Sequence, residues 1–330
     1  MNPLKLGTKF ALNLSYIGTR YSGVQRQVRR ELMNEESNYD NSVQMAVDIG
    51  ISKLNPHPNN LFRSGLSSRT DKDVHAKDNY LFTQLVHPDF PQQDYEPKQI
   101  TETVNEYLEK AKHDIKIKKC IQLPQDFRIY RSAEYREYTY RILFVDNTTR
   151  DTNDDESVVL LRFLPPPLND KVAVICPRKG RQLDLSKIQP ALDLFVGKHN
   201  FKSFESGTFD QRIGWWATRD PVRDLTHFEV KPLSIETLVK EESLELTQEL
   251  KALMENQHLI EIKVRADSFL YRQVRMMIGL SLQTAWGETT FSDIQFRLDF
   301  PHKWNWQYSD FMAPAHGLSL TKVKLKAIQE

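Results

Sequence analysis

Ser68-Arg69-Thr70-Asp71, running on into Val74-His75-Ala76, is where this sequence first offers chemistry. A short polar turn there sets one carboxylate beside an arginine, at the start of an apolar run that includes Tyr80, Leu81, Phe82 and Leu85. Carboxylates are costly to enclose unless paired, so an Asp held near an Arg at the lip of a strand is a candidate reaction centre. A plainer reading has Asp71 capping a turn or helix, as Asp often does, and local spacing alone favours it. The period-two alternation of Asp71, Asp73 and His75 allows a third reading. The three could share one face of an extended segment and hold magnesium or manganese for phosphate-ester hydrolysis. No second acidic or histidine cluster at ligand spacing completes that site.

The elements that must position Asp71 follow from periodicity. Phe10, Leu12, Leu14 and Tyr16 alternate with Lys9, Ala11, Asn13 and Ser15, which predicts a half-buried strand. Gly18 and Gly23 punctuate a loop carrying Tyr21, Gln25, Arg26 and Gln27. From Ser42 the spacing of Val43, Ala46, Val47, Ile51 and Leu54 predicts a helix broken by Asn55-Pro56. A second helix is expected near Ile100–Lys110, with Ile100, Val104, Tyr107 and Leu108 on one face. Further strands are expected at Tyr138–Phe144, Leu225–Val230 and Ile260–Val264. Ser186 is expected to cap a helix carrying Ile188, Leu192 and Phe195, which Gly197 ends. Phe269–Ala285 reads as a long helix with Leu270, Val274, Met277, Ile278 and Ser281 inward. Helices grouped with hairpin-like strands predict an α+β fold of two related halves around one cleft. The expected halves are 9–121, carrying Asp71, and 122–325, with surface insertions near 147–182 and 231–257 that carry no chemistry.

Composition narrows the function classes. The 330 residues are 39% hydrophobic and 10% aromatic, which suits a folded chain rather than a disordered one. No apolar run approaches the roughly 20 residues that span a bilayer, and Met1–Thr8 is too short for a signal or transit peptide. Cys120 and Cys176 lie far apart without metal-ligand spacing, which fits a reducing, intracellular compartment. Net charge is +1, but arginines cluster at Arg20, Arg26, Arg29 and Arg30 and again at Arg128, Arg131, Arg136 and Arg141. A neutral but locally basic protein can bind phosphates through one cleft. Nothing supports a Ser/His or Cys/His nucleophile.

Seven segments, in order, resemble the A-type tRNA pseudouridine synthase family, and most closely its eukaryotic tRNA pseudouridine synthase-like branch. They are YIGTRYSGVQRQ (Tyr16–Gln27), SSRTDKDVHA (Ser67–Ala76), YREYTYRI (Tyr135–Ile142), GKHNFKSF (Gly197–Phe204), RDPVRDL (Arg219–Leu225), SFLYRQVRMMIG (Ser268–Gly279) and APAHGLSL (Ala313–Leu320). The resemblance implies the pseudouridine synthase fold, with a central, mainly antiparallel sheet shared by the two halves. It implies isomerisation of a uridine in tRNA to pseudouridine, by base flipping, through an essential Asp71 and with no metal or organic cofactor. Arg275 is then the ion-pair partner of Asp71, and Tyr138 the ring that stacks on the uracil and assists loss of its C5 proton. Arg69 would hold the flipped nucleotide's phosphate or fill the vacated space. Arg26, Gln27 and Arg219 would touch the RNA backbone, and Leu318 would form an apolar wall. The expected partner is tRNA, with other RNA left open, no membrane, and a monomer or homodimer. The compartment is equally open among mitochondrion, nucleus and cytoplasm.

Some positions depart from the family pattern. Asp73 stands where RTDxGVHA has glycine, Val24 replaces a usual tryptophan, and Arg128 and Tyr130 stand where histidine and arginine are common. A glycine at the Asp73 position often permits a backbone angle that other residues resist, although Asp tolerates such angles better than most. A catalytically impaired RNA-binding protein of the same fold is the alternative that this departure raises.

Overall fold

The computed structural model describes residues 7–26, 41–57, 64–89, 92–128, 132–144, 164, 166–176, 182–206, 220–254 and 257–326. The elements begin with β1 (Thr8–Tyr16), α1 (Val43–Ser52), β2 (Gly65–Leu66), β3 (His75–Leu85), α2 (Pro97–Lys110), β4 (Ile115–Leu123) and β5 (Ala133–Phe144). There follow α3 (Pro166–Asn169), β6 (Ala173–Ile175), α4 (Ile188–Asp193), β7 (Gly197–Asn200), β8 (Val222–Pro232), α5 (Ile235–Glu241) and α6 (Gln248–Met254). Last come β9 (His258–Ala266), α7 (Gln273–Ala285), α8 (Phe291–Asp299) and β10 (Leu318–Leu325). The fold is α+β, with strand pairs that are mostly antiparallel. The chain divides into two compact units, Met1–Arg136 with Ser319–Glu330, and Glu137–Leu318.

In the first unit the strand order is β4-β1-β3-β10. β1 lies between two antiparallel neighbours, Leu12 facing Leu81 of β3 and Cys120 of β4. The alternation predicts a half-buried strand, yet Phe10, Ala11, Leu12 and Leu14 are all sealed. A central strand with both faces covered loses its polar side: Ala11 packs with Phe82, Leu123, Phe127 and Leu325, and Phe10 and Leu12 face the other way. Ser42 caps α1 through the Met45 N–H (3.1 Å). α2 starts on Pro97, as suits a first helical turn, and buries Ile100, Val104 and Leu108. Asn105 clips α2 to β4 by accepting from the Ile117 N–H and donating to its C=O, both at 2.8 Å.

In the second unit β5, β9, β8 and β7 are successive neighbours, and β6 pairs with β5 in parallel. On one face of β5, Tyr140 is wholly buried and donates its hydroxyl to Pro314 O (2.8 Å). Burial drives its phenol pKa far up, against the opposing pull of the Arg275 charge, so it stays a donor. The other face presents Leu143 to a core of Leu164, Leu168, Val172, Leu238, Val239, Leu250 and Leu259. The described parts of the two stretches read as surface insertions thus meet in a shared apolar layer over β5. Their mean polarity hid the few Leu and Val that pack.

Three local expectations are corrected. The helix near Ile188 is entered through a turn, Leu185–Lys187, capped by Asp184 rather than Ser186, whose N–H and hydroxyl both go to the Asp184 carboxylate. Gly197 does not end that helix; it opens β7 at φ 102. α7 begins at Gln273, not Phe269, because Arg272 sits at φ 61 and Gln273 Oε1 takes the Leu270 N–H (2.8 Å).

Arg141, buried on the Leu143 face, bonds Glu261 (3.0 Å) and Glu241 and lies 3.5 Å from Glu242. Burial works against its charge, but the surrounding glutamates prevail and raise its pKa. Removing one partner of a buried charge cluster leaves the others uncompensated. Arg141→Met is therefore expected to lower stability by about 3–5 kcal/mol in urea unfolding; a loss well below 1 kcal/mol would mean that water reaches the cluster.

Candidate active site

The segment that carries Asp71 links β2 to β3, and its backbone is held by one side chain more than any other. Asn79, on β3, has no solvent exposure. Its amide nitrogen donates to Ser68 O (3.1 Å) and to the Tyr16 hydroxyl (3.2 Å). Its amide oxygen accepts from Ser67 Oγ (2.8 Å) and from the Tyr80 N–H (2.9 Å). The Tyr16 hydroxyl also meets Thr70 Oγ1 at 2.8 Å. Arg136 completes the anchor by donating to Ser67 O from Nε (3.2 Å) and Nη2. Ser67, Ser68 and Thr70 are buried, whereas Arg69 is exposed and Asp71 half-exposed. Sealing the backbone while leaving these two side chains outward is the arrangement that a reaction centre on a loop requires.

The turn itself is closed by the Val74 N–H donating to Asp71 O (3.2 Å), with Asp73 at φ 66. Asp73 therefore keeps the left-handed angle that the motif's glycine would supply, and Asp is among the L residues that bear it best. The same angle corrects the metal reading. Asp71, Asp73 and His75 do not alternate along one extended face, because the chain turns at Asp73. His75 is buried, and its Nδ1 accepts the Gly18 N–H (3.0 Å), so its ring serves the fold. Among the described residues no group of three or more His, Cys, Asp or Glu could hold a metal ion.

A loop from β1 lies on this turn. Added to Gly18, a Cβ would sit 2.1 Å from Val74 O, so only glycine allows that approach. Gly23, at φ 121, lets the Val24 N–H reach Thr70 O (3.2 Å). Val24 is fully buried, which accounts for an aliphatic residue there. Arg26 follows, its backbone N–H bonded to Gln44 Oε1 (3.0 Å) and its guanidinium 3.8 Å from Asp48. Arg26, Arg69 and Asp71 are thus drawn into one region of the first unit. Gln27 and Arg219 lie outside the described residues.

The second unit carries Tyr138, Arg275 and Leu318. Tyr138 lies on β5, nearly buried, its ring edge-on to Phe269 (5.4 Å, 85°). Arg275, in the first turn of α7, donates from Nε to Ala313 O (2.7 Å), and the Ala313 N–H returns to Arg275 O (3.1 Å). Leu318 is buried at the start of β10. Sequence reading missed what fixes Arg275. Arg275, Gly279 and Gln283 recur every four residues on one stripe of α7, and the chain from Ser309 to Ala313 lies along it. Gln283 accepts the Phe311 N–H (2.7 Å) and donates to Ser309 O (3.1 Å), and a Cβ on Gly279 would meet Phe311 O at 1.8 Å. The spacing R-x3-G-x3-Q was the available signal, masked by the apolar residues around it. Asn79 left none, as a single Asn inside a strand pattern.

Chemically, the first unit offers a half-exposed carboxylate with two arginines nearby, and the second a held arginine and an aromatic ring. Among the described residues, no helix is long and apolar enough to cross a membrane. A family model described as tRNA pseudouridine synthase matches residues 191–325. The chain is also similar along almost its whole length to named relatives. A tRNA pseudouridine synthase A of Bartonella tribocorum is 25% identical over 317 residues, covering 96% of this chain and 99% of that protein. Another, from Leuconostoc citreum, is 26% identical over 316 residues, covering 96% of each. A tRNA pseudouridine synthase-like 1 of Xenopus laevis is 25% identical over 321 residues, 96% of this chain and 91% of the other. With its seven motifs in order, its α+β fold and these likenesses, the chain is similar along almost its whole length to the A-type tRNA pseudouridine synthases.

Proposed function

We propose that this chain isomerises a uridine of tRNA to pseudouridine, with the Asp71 carboxylate acting at the ribose of the everted nucleotide. The N1–C1′ bond breaks with its electron pair on the base, the uracil turns, and C5 bonds to C1′. The C5 proton is then lost and N1 takes one up, so atoms and charge balance with no redox step. C1′ gains positive character as the base leaves, as in glycoside cleavage. A carboxylate beside it stabilises that charge, attacks C1′ or removes a sugar proton, and every one of these routes needs Asp71 ionised. Arg275 is assigned the counter-charge that favours ionisation. Tyr138 is assigned the base: its ring stacks on the uracil and its hydroxyl assists C5 proton loss.

Everting a stacked uridine costs a few kcal/mol. Arg69, outward from a sealed backbone, is assigned the phosphate or the vacated space, since a guanidinium both stacks and makes bidentate phosphate contacts. Arg26, Gln27 and Arg219 are assigned backbone contacts and Leu318 the apolar wall. A tRNA substrate and two cysteines outside any disulfide, Cys120 and Cys176, fit a reducing compartment inside the cell.

One observation carries the reading over its impaired alternative. The turn that presents Asp71 keeps its left-handed residue at Asp73, φ 66, although the family's glycine is gone. Loss of the glycine therefore supplies no reason for lost activity.

Mapping pseudouridine at nucleotide resolution in tRNA incubated with the protein should find it at one or a few uridines. Asp71→Asn, which keeps size and removes charge, should cut the rate by about a thousandfold, the scale on which one transition-state charge contact matters. Undiminished product from that variant would defeat the assignment. The turn has its own test in thermal unfolding. Asp73→Gly should be neutral to about 1 kcal/mol stabilising, whereas Asp73→Val should cost about 2 kcal/mol and lower activity. A harmless valine would show that the angle is unimportant.

A further inference from the structure

Within the second unit, the segment from Ser203 to Ser206 joins two surface features that the proposed chemistry leaves unused. Ser206 donates its N–H to Tyr271 O (3.2 Å), and its Oγ lies 3.5 Å from Nη1 of Arg272. Ser203 Oγ takes the His302 N–H (3.1 Å) and the Asn305 amide (3.1 Å), which fixes the turn Lys303–Asn305. Three residues of chain span at most about 11 Å, so the two anchor points, Ser203 and Ser206, lie within that distance.

Each feature is a cation laid on an exposed aromatic ring. The Arg272 guanidinium lies 4.8 Å from the centroid of Tyr271, which is 50% exposed. Lys303 Nζ lies 4.7 Å from the centroid of Trp304, which is 70% exposed, and Tyr308 beyond it is wholly exposed. Arg272 is the more telling residue. It holds φ 61, an angle few L residues adopt, and among the described residues no carboxylate pairs with it and its buried Nε has no acceptor, which leaves the outer nitrogens to meet an anion. A guanidinium placed at such cost and without a carboxylate partner among the described residues is suited to a phosphate oxygen. Cations interleaved with open rings are the pattern that follows an RNA strand, phosphates on the charges and bases on the rings. A protein partner would instead have to desolvate the Arg272 charge along with the rings, which is unfavourable.

We propose that Tyr271, Arg272, Lys303, Trp304 and Tyr308 form an RNA contact that grips a stretch of tRNA in addition to the reactive nucleotide. This rests on the tRNA reading above, which is tested separately by whether the wild-type protein makes pseudouridine in the same transcript. Binding is measured in the Asp71→Asn background, so that turnover does not intervene, by titrating a tRNA transcript at several salt concentrations. Trp304→Ala should weaken binding about tenfold and leave the salt slope unchanged, as loss of one stacked base does. Arg272→Gln should weaken it several-fold and lower the slope by about one released counterion. Arg272→Gly should lose the same affinity while melting no lower than its parent, because glycine accepts the positive φ; a residue serving the fold alone would not behave so. Wild-type affinity and slope in these variants would overturn the proposal. So would a dimer in light scattering that Trp304→Ala splits without changing RNA affinity, since the patch would then be a face for a second copy.

Discussion

A carboxylate that is to act on substrate must stay half in water, while the peptide groups on either side of it must not. The first unit meets that constraint with Asn79. Its four hydrogen bonds fix Ser67, Ser68 and the Tyr16 hydroxyl, and through Tyr16 they reach Thr70, the residue before Asp71. Buried peptide groups need partners, and an irregular segment finds none in a sheet ladder, so a side chain must supply them. The result is a loop with strand-like rigidity from which Arg69 and Asp71 project. The Gly18 loop depends on the same turn, since His75 and Val74 are what it rests on.

The second unit solves a similar problem by different means. The chain from Ser309 to Ala313 has no strand partner among the described residues, and α7 holds it with a stripe of Arg275, Gly279 and Gln283. Arg275 spends its Nε on Ala313 O, which fixes the plane of the guanidinium and turns its remaining nitrogens in a set direction. Tyr140 holds the next residue, through Pro314 O. In both units some residues hold backbone, such as Asn79 and Gln283, and others are presented, such as Arg69.

This division explains what could be read in the sequence. Local rules were legible: the helical spacing from Ser42, the apolar face of α2, the alternation of β5 and β9, and the need for a special angle at position 73. Partners distant in the chain were not. Asn79 looks like a polar interruption of a strand until Ser67, Ser68 and Tyr16 are seen around it, and Gln283 like a tolerated polar residue until Phe311 arrives. The layer over Leu143 escaped notice because its Leu and Val are diluted among charges such as Glu241 and Glu242, several of which are themselves held by Arg141. The start of α7 was misplaced because periodicity continues through Phe269 and Leu270, whereas the helix waits on the angle at Arg272.

If Asn79 positions the acid rather than merely stabilising the fold, its loss should appear in the chemical step. Single-turnover pseudouridine formation by Asn79→Ala, at saturating protein and at a temperature where the variant is folded, tests this most directly. A displacement of about 1 Å at a reacting group costs on the order of a hundredfold, so the rate should fall on that scale while tRNA affinity stays within about twofold. A folded Asn79→Ala protein that turns over at the wild-type rate would contradict the account.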